Sequence, residues 1–264
     1  YCERAGVTAG ECPIVGLLKT VDGPRTDASD VTMLTYRMTD HPACATAPTA
    51  CDYRNGDLWK TTNALGHAVE VVRNDGAGRP LSVKDANGTI TDLEYDARGR
   101  PTARKTRGAD NAVETDDRIV RIAYWPDGSV KRVTQPDGTF LDYTYDAAHR
   151  LTQIADNAGN RVDYTLNAAG ERTNEEVKDA TNTLRRKVSR SFNLLGQMQT
   201  LTDAYQKPTG FVYDAEGALD HTTDALNRVT DHDVDPLGRR KRTVANATAA
   251  INATDRAETG FQYD

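Results

Sequence analysis

The sequence has few phenylalanines, no long apolar run and no excess of basic residues. Its longest apolar stretch, residues 14–18, is far shorter than the roughly 20 residues that a transmembrane helix needs, so we predict no membrane span. The 264 residues include 33 Lys plus Arg against 39 Asp plus Glu. Because phosphate neutralisation needs a basic surface, this balance argues against a nucleic-acid partner.

Hydrophobic residues are also scarce, at 38% of the chain. A share this low raises the possibility of disorder. Against disorder stand 11 tyrosines, regularly placed glycines and many short runs of Thr, Val, Ile and Leu, which are typical of half-buried strands. The composition therefore favours an all-β fold.

What the sequence does contain is an internal repeat. Most units begin with an aromatic or aliphatic residue, continue with Asp or Asn, and carry Gly three residues later. The nine starting positions are 74, 95, 124, 145, 166, 192, 213, 234 and 263, separated by 21, 29, 21, 21, 26, 21, 21 and 29 residues. The basal period is therefore 21 residues, interrupted by three inserts.

The head of each unit predicts a tight turn. An Asp or Asn side chain can accept hydrogen bonds from backbone N–H groups of a type I turn, and a following Gly adopts positive φ without steric cost. The expected product is a short hairpin loop with a bulge. A second Asp recurs ten residues after the first, at Asp85, Asp156, Asp203 and Asp224. Each unit should therefore contain two turns and two strands.

Between the turns, residue types alternate with the period of a strand. Leu141, Tyr143 and Tyr145 would share one face of the sheet, while Asp142 and Thr144 lie on the other. This pattern predicts a thin sheet with a Tyr/Leu/Val face and a largely polar, solvated face. The inserts at residues 108–117, 177–187 and 245–258 fall at second turns, where we expect longer hairpin loops.

All four cysteines lie within the first 51 residues. The sequence leaves local disulfides, free thiols and a metal site as alternatives, and the spacings do not fit paired C-x-x-C zinc ligands. We favour the disulfides Cys2–Cys12 and Cys44–Cys51, which would indicate an oxidising, extracytoplasmic destination.

No catalytic, cofactor-binding or metal site is predicted. The five histidines, at positions 41, 67, 149, 221 and 232, are scattered. His149 takes the place of the turn Gly, so we interpret it as a left-handed turn residue. The densest ligand-like cluster, residues 231–235 (DHDVD), would alternate between the faces of a strand, which argues against a metal site. Neither a Ser-His-Asp order nor a P-loop occurs.

The repeat resembles the YD repeat of the Rhs family, which teneurins and insecticidal toxin complexes share. The cleanest matches are residues 95–101 (YDARGRP), 145–151 (YDAAHRL) and 213–219 (YDAEGAL). The resemblance covers residues 53–264, and residues 1–52 look like a cysteine-containing region of degenerate repeats. We therefore predict two regions, 1–52 and 53–264, with the second truncated at both ends.

The resemblance implies antiparallel hairpins forming a long spiralling sheet, part of a β-shell or barrel. Family members use such shells to enclose a toxic polypeptide. Residues 235–238 (DPLG) resemble the start of the core motif that precedes a toxin, but they stand at a normal repeat phase. We interpret them as a repeat turn and expect no toxin domain in this chain.

These observations lead to one leading hypothesis and one alternative. The leading hypothesis is a non-enzymatic structural segment of a secreted or surface bacterial protein, with the rest of its polypeptide and a toxin cargo as partners and with possible self-association through open sheet edges. The alternative is an adhesion or polymeric module in which Trp59 and Trp125 bind glycan or protein. Because Tyr263 and Asp264 begin a unit and the first residue is Tyr1, we expect a piece of a longer polypeptide.

Overall fold

The computed structural model describes residues 1–47, 51–109, 113–246 and 257–263. The chain forms two compact units, Tyr1–Thr139 and Phe140–Asp264. The described residues comprise 20 strands, a short helix α1 (Arg4–Thr8) and a 3-10 turn at Pro42–Ala45. This content confirms the predicted all-β class. The predicted division after residue 52 stays a prediction.

The first unit contains nine strands that follow one another in the sheet in chain order. Each strand pairs with the next in antiparallel orientation. The strands are β1 (Thr20–Val21), β2 (Thr32–Tyr36), β3 (Leu58–Thr62), β4 (Ala68–Asn74), β5 (Pro80–Lys84), β6 (Ile90–Tyr95), β7 (Pro101–Thr106), β8 (Arg118–Tyr124) and β9 (Val130–Thr134).

The second unit repeats this arrangement with eleven strands. Each again pairs antiparallel with the next one along the chain. The strands are β10 (Phe140–Tyr145), β11 (Leu151–Asp156), β12 (Arg161–Leu166), β13 (Arg172–Lys178), β14 (Leu184–Phe192), β15 (Met198–Thr202), β16 (Pro208–Tyr213), β17 (Leu219–Thr223), β18 (Val229–Val234), β19 (Arg240–Ala245) and β20 (Ala257–Gly260). The predicted repeated hairpins are therefore confirmed in both units.

The turns have the predicted conformation. Gly99 has φ of 81°, and the register of the strands shifts between Glu94 and Tyr95, as a bulge beside the turn requires. His149 occupies the glycine position with φ of 60°, which confirms its interpretation as a left-handed turn residue. The same conformation occurs at Gln206 and Asn227, which stand where other second turns carry Gly.

The three inserts do not all become long loops. A long loop is predicted for the insert at 177–187, but Asp179 and Thr183 close a tight turn through a 3.1 Å backbone hydrogen bond. The additional residues lengthen β13 to seven residues and β14 to nine, because backbone pairing continues across them. The described residues of the insert at 108–117, namely 108–109 and 113–117, lie outside the strands, between β7 and β8. Most of the insert at 245–258 lies outside the described residues.

The sheets are thin, and along several strands the side chains of both faces are partly shielded from solvent. Among the described residues, the buried apolar side chains outside the disulfides are few and small or medium in size: Val71, Ala103, Val188 and Val244. The expectation of one solvated face is wrong for β6, β11 and β13, along which every residue is half-buried. Along β6 and β13 the charged side chains form ion pairs with neighbouring residues, and on β11 Gln153 donates to Asp163 of β12 at 2.8 Å.

Candidate functional site

The turn at Asp96 shows how an Asp–Arg pair holds a repeat together. Asp96 Oδ1 accepts hydrogen bonds from the backbone N–H groups of Arg98, at 2.9 Å, and Arg100, at 3.0 Å. Asp96 Oδ2 accepts from Nε and Nη2 of Arg100, each at 2.7 Å. One carboxylate thereby caps the turn and fixes the arginine four residues later. The same Asp–Arg arrangement occurs at Asp75–Arg79, Asp146–Arg150, Asp224–Arg228 and Asp235–Arg239.

The fixed arginine then contacts the aromatic head of the following unit. The Arg100 guanidinium lies 4.4 Å from the ring centre of Tyr124, and the Tyr124 hydroxyl donates to the Pro101 carbonyl at 2.7 Å. Cation–π attraction and a hydrogen bond therefore join one repeat to the next repeat along the chain. We name this Asp, Arg and Tyr set the interlock. It recurs at Asp75–Arg79–Tyr95 and Asp235–Arg239–Tyr263.

The interlock also sets the acidity of its carboxylates. Backbone and side-chain hydrogen bonds from Arg100 hold the pKa of Asp96 below its usual value, because they stabilise the ionised form. The pKa of Asp146 is lowered in the same way by Arg150. At the turn of the second insert, the Thr181 hydroxyl and the Thr183 backbone lower the pKa of Asp179 to about 2. These acids are therefore structural groups that stay ionised at neutral pH.

Two adjacent turns of the second unit depart from the interlock. In the first, Asn167 and Glu171 replace Asp and Arg, and Asn167 Nδ2 donates to Glu171 at 2.6 Å. In the second, Asn193 and Gln197 form the equivalent amide pair at 2.7 Å. The heads of these two units are Leu166 and Phe192, which have no hydroxyl group to donate. We call these two turns, at residues 167–171 and 193–197, the asparagine turns.

The loop of the first insert is anchored by charge on β6 and β7. Lys105 donates to Glu114 of the loop and to Glu94 of β6, and these hydrogen bonds, the one to Glu114 foremost, raise the pKa of Lys105. Arg107 Nη1 lies 2.8 Å from Asp117 Oδ2, and the Asp117 side chain is fully buried. The charged groups of this face therefore form ion pairs with one another.

The cysteines form the two favoured disulfides, Cys2–Cys12 and Cys44–Cys51. All four side chains are buried, so the disulfides supply a large part of the small core near the amino terminus. A cavity of about 380 Å³ lies beside Cys2–Cys12. In its wall the Arg37 guanidinium lies 4.0 Å from the Tyr53 ring centre and 5.0 Å from that of Trp59.

Within the described residues, the histidines and the acidic cluster at residues 231–235 do not form a common site. His221 Nδ1 lies 2.9 Å from Asp220, and burial lowers the pKa of His232. Asp233 is paired with Arg242 at 2.6 Å, and Asp235 belongs to an interlock. Within the described ranges, no three His, Cys, Asp or Glu residues are grouped as a metal site would require.

The role of the arginine could not be predicted from the sequence. The pattern of Gly followed by Arg is visible at residues 78–79, 99–100 and 238–239, yet by itself it implies no contact. The one usable signal is the constant spacing of four residues between Asp and Arg, since the distance from Arg to the next Tyr is 16 residues in one interlock and 24 in the other two. What the pattern could not show is that the arginine bends back to its own Asp and forward to a neighbouring strand.

Comparison with protein families confirms the resemblance to the Rhs/YD-repeat family. The RHS Repeat family model matches residues 75–110 and 124–161. A curated relative, the double-stranded DNA deaminase toxin A of Burkholderia cenocepacia (strain H111), is 29% identical over 144 residues. The match covers 54% of this chain and 9% of that protein.

Solved structures give weaker similarities. The crystal structure of TcdB2-TccC3 is 15% identical, with a TM-score of 0.48 over 89% of this chain and 15% of that chain. The Photorhabdus luminescens Tc holotoxin pore is 16% identical, with a TM-score of 0.46 over 87% of this chain and 14% of that chain. The chain therefore spans less than a sixth of each of these relatives.

Proposed function

Because the chain contains RHS repeats, we propose that it is a structural, non-catalytic segment of a secreted or surface protein of bacterial origin, forming part of a β-shell that encloses or presents a polypeptide. A toxin is the proposed cargo. The observation that carries the proposal is the interlock, which joins successive repeats through Asp, Arg and Tyr at three places in the described chain. The curated relative is named as a toxin, which supports this choice of cargo.

The charges of the sheet favour a wall over a reactive surface. At the Asp96 turn and on the face formed by Lys105, Glu94 and Glu114, acids and bases neutralise one another. A catalytic acid or base needs a pKa close to the working pH, whereas the pKa values of the turn acids are lowered by their arginine partners. These residues therefore serve the fold.

The proposed location and partners follow from the same features. Two buried disulfides are suited to an oxidising compartment outside the cytoplasm. Among the described residues, no helix has the length and apolar character to cross a membrane. The proposed partners are the remainder of the same polypeptide, the cargo and further copies that pair through free strand edges.

The alternative, an adhesion module that binds glycan, depends on exposed aromatic residues. Trp125 is 37% exposed, which leaves part of its ring open for stacking, although Lys131 lies 4.6 Å from the ring centre. Trp59 is less suited, because its Nε1 donates to Glu70 at 2.6 Å and Arg37 lies over its ring. A glycan array distinguishes the two functions, since a wall segment should bind no glycan.

The test of the shell uses the native polypeptide that carries this chain. Under native conditions, added protease should leave a segment outside residues 1–264 intact, and Asp96→Ala should make that segment sensitive because it breaks an interlock. Leu237→Ala is the matched control, since Leu237 is 77% exposed at a turn and should change nothing. Equal digestion of the outside segment in all three proteins would contradict the shell.

A second assay addresses catalysis. The chain should not deaminate double-stranded DNA, the activity named for its relative, and should not hydrolyse ester, peptide or glycoside substrates. Activity that disappears when one Asp or His is substituted would show that the chain is an enzyme.

A further inference from the structure

The asparagine turns border a depression of about 540 Å³ in the second unit. Three arginines line it: Arg150 from the preceding turn, Arg172 at the start of β13 and Arg190 in β14. Glu171 is the acidic residue in its lining. The depression therefore lies where the regular Asp–Arg pairing of the array is replaced by amide pairs.

Arg190 differs from the other arginines of the sheet. It is half-buried, its Nη1 atom is buried without a partner, and its side chain has neither a hydrogen bond nor an ion pair within the described part of the chain. Arg37 and Arg100 also have one buried nitrogen without a partner, but another nitrogen of each donates, to the Val71 carbonyl and to Asp96. Arg104 and Arg118 also have no described side-chain partner, but both are exposed and can be hydrated. Burying a charged donor without a partner is costly, so such a group indicates an occupant.

The two other arginines contribute unequally. Arg150 has little capacity left, because Asp146 and the Asn167 carbonyl accept from three of its nitrogens. Arg172 lies 3.7 Å from the ring centre of Tyr164 and has a single long contact, 3.4 Å, with Glu175. Arg172 and Arg190 are therefore the groups that can donate to a ligand, and Arg150 adds positive potential.

We propose that this depression binds the carboxylate of an acidic side chain from a polypeptide held against the sheet. Guanidinium groups form paired, charge-assisted hydrogen bonds with carboxylates, so Arg172 and Arg190 together match that ligand. Leu151, Leu166 and Phe192 form apolar walls that suit the aliphatic stem of a glutamate. The proposal rests on the proposed function, because it specifies where the wall holds the enclosed polypeptide.

The experiment measures binding of a hexaglutamate peptide with blocked ends to the full chain at low ionic strength. The side-chain Nε–Hε resonances of the arginines are followed by NMR. Hexaglutamate should shift the signals of Arg190 and Arg172 and leave that of Arg104 in place. Arg190→Gln should weaken binding by at least about tenfold, since a charge-assisted hydrogen bond is lost. Glu171→Gln should strengthen binding, because a competing negative charge is removed.

Controls distinguish this site from general attraction between charged groups. Arg104→Gln, an exposed arginine in the first unit, should leave the affinity unchanged. Equal binding of inorganic phosphate would overturn the assignment to a polypeptide, and no shift at Arg190 would overturn the site. A Glu171→Gln protein that is destabilised and binds no better would show that Glu171 is the partner of Arg190, which also overturns it. If the wild-type chain does not bind hexaglutamate while the cargo stays protected from protease, this site is rejected and the proposed function is not.

Discussion

The interlocked turns and the asparagine turns share a backbone but use it differently. At Asp96 and at Asn193, one side-chain oxygen accepts from the same two backbone N–H groups, two and four residues later. At Asp96 the carboxylate also holds Arg100 against the next tyrosine, whereas Asn193 holds only Gln197. The turn is therefore maintained by either residue. Gln197 Nε2 still donates to the Gly217 carbonyl of the next repeat at 3.2 Å, so only the cation–π contact requires the charged pair.

This difference shows what each repeat position contributes. Tyr213 follows an asparagine turn and still donates to the Met198 carbonyl at 3.0 Å, so the tyrosine hydroxyl does not need the arginine. The arginine adds the cation–π contact and neutralises the turn carboxylate. Where the Asp–Arg pair is absent, as at Asn167, the cation–π contact is absent too. The depression lined by Arg190 lies beside this turn.

The largest effect is expected from acid. The folded pKa values of Asp96, Asp146 and Asp235 are lowered by their arginines, so the stability that they contribute is complete above the unfolded pKa, about 4, and is lost as pH falls through the folded pKa. Asp179, whose pKa is about 2, marks the lower end of this interval. The urea midpoint should be constant above about pH 5 and fall between about pH 4 and 2.

Hydrogen exchange gives the internal control for acid. The amides of Arg98 and Arg100 should lose protection in this interval, because Asp96 becomes protonated. The amides of Leu195 and Gln197 should keep their protection, since Asn193 does not titrate. Simultaneous loss at both turns would mean that acid unfolds the whole unit and that the turn carboxylates have no local role.

The next largest effect is expected from Asp96→Ala. The substitution leaves two backbone N–H groups without their acceptor and releases Arg100 from Tyr124. Asp96→Asn should cost less, because the amide oxygen can still cap the turn, and it converts the site to the asparagine type. Chemical denaturation of the three proteins should rank wild type, Asp96→Asn and Asp96→Ala in decreasing stability. For Asn193→Ala we expect a smaller loss than for Asp96→Ala.

Glycine substitution at the turns should have an intermediate effect. Gly138 has φ of 85°, and a Cβ added there would meet only open space, so Gly138→Ala costs the left-handed conformation alone, about 1–2 kcal/mol. At Gly99 the new Cβ would also collide with the Arg79 guanidinium, which lies over Tyr95. Thermal melts should therefore show a larger loss for Gly99→Ala. Equal losses would show that Arg79 moves aside freely.

The smallest effects concern the aromatic heads. Tyr95→Phe and Tyr213→Phe each remove one hydrogen bond to a carbonyl and should cost about 1 kcal/mol. Tyr95→Leu should cost about 0.5–1 kcal/mol more than Tyr213→Leu, because only Tyr95 has an arginine, Arg79, over its ring. Double-mutant cycles with Arg79→Gln would measure the coupling free energy between Tyr95 and Arg79. A value near zero would show that the arginine contributes nothing to the interlock.

Much of the fold could be predicted from the sequence, since it is encoded locally. The spacing of Asp, Gly and Tyr located the hairpins, and the absence of Gly at position 149 still predicted a left-handed turn, which φ of 60° confirms. Loop length was less predictable. The insert at 177–187 extends β13 and β14 because its residues continue backbone pairing, which composition alone does not reveal.

The candidate sites were less predictable, because they depend on residues far apart in the chain. Arg190 is an ordinary strand arginine in the sequence, and it becomes notable only when Arg172 and the asparagine turns are placed beside it. The alternation pattern predicts a solvated polar face, yet Lys105 and Arg107 are 13% and 9% exposed because cross-strand and loop acids cover them.

By itself, the sequence determined the unit, its two turns and the residues able to cap them, because a β-turn is a local structure governed by φ and by one side chain. The tertiary structure decided which partners those side chains meet. Arg100 reaches Tyr124 because antiparallel pairing of β7 with β8 brings the head of the next repeat alongside the turn, and Arg172 and Arg190 line one depression because β13 pairs with β14. Contacts of this kind depend on strand register, which no single repeat specifies.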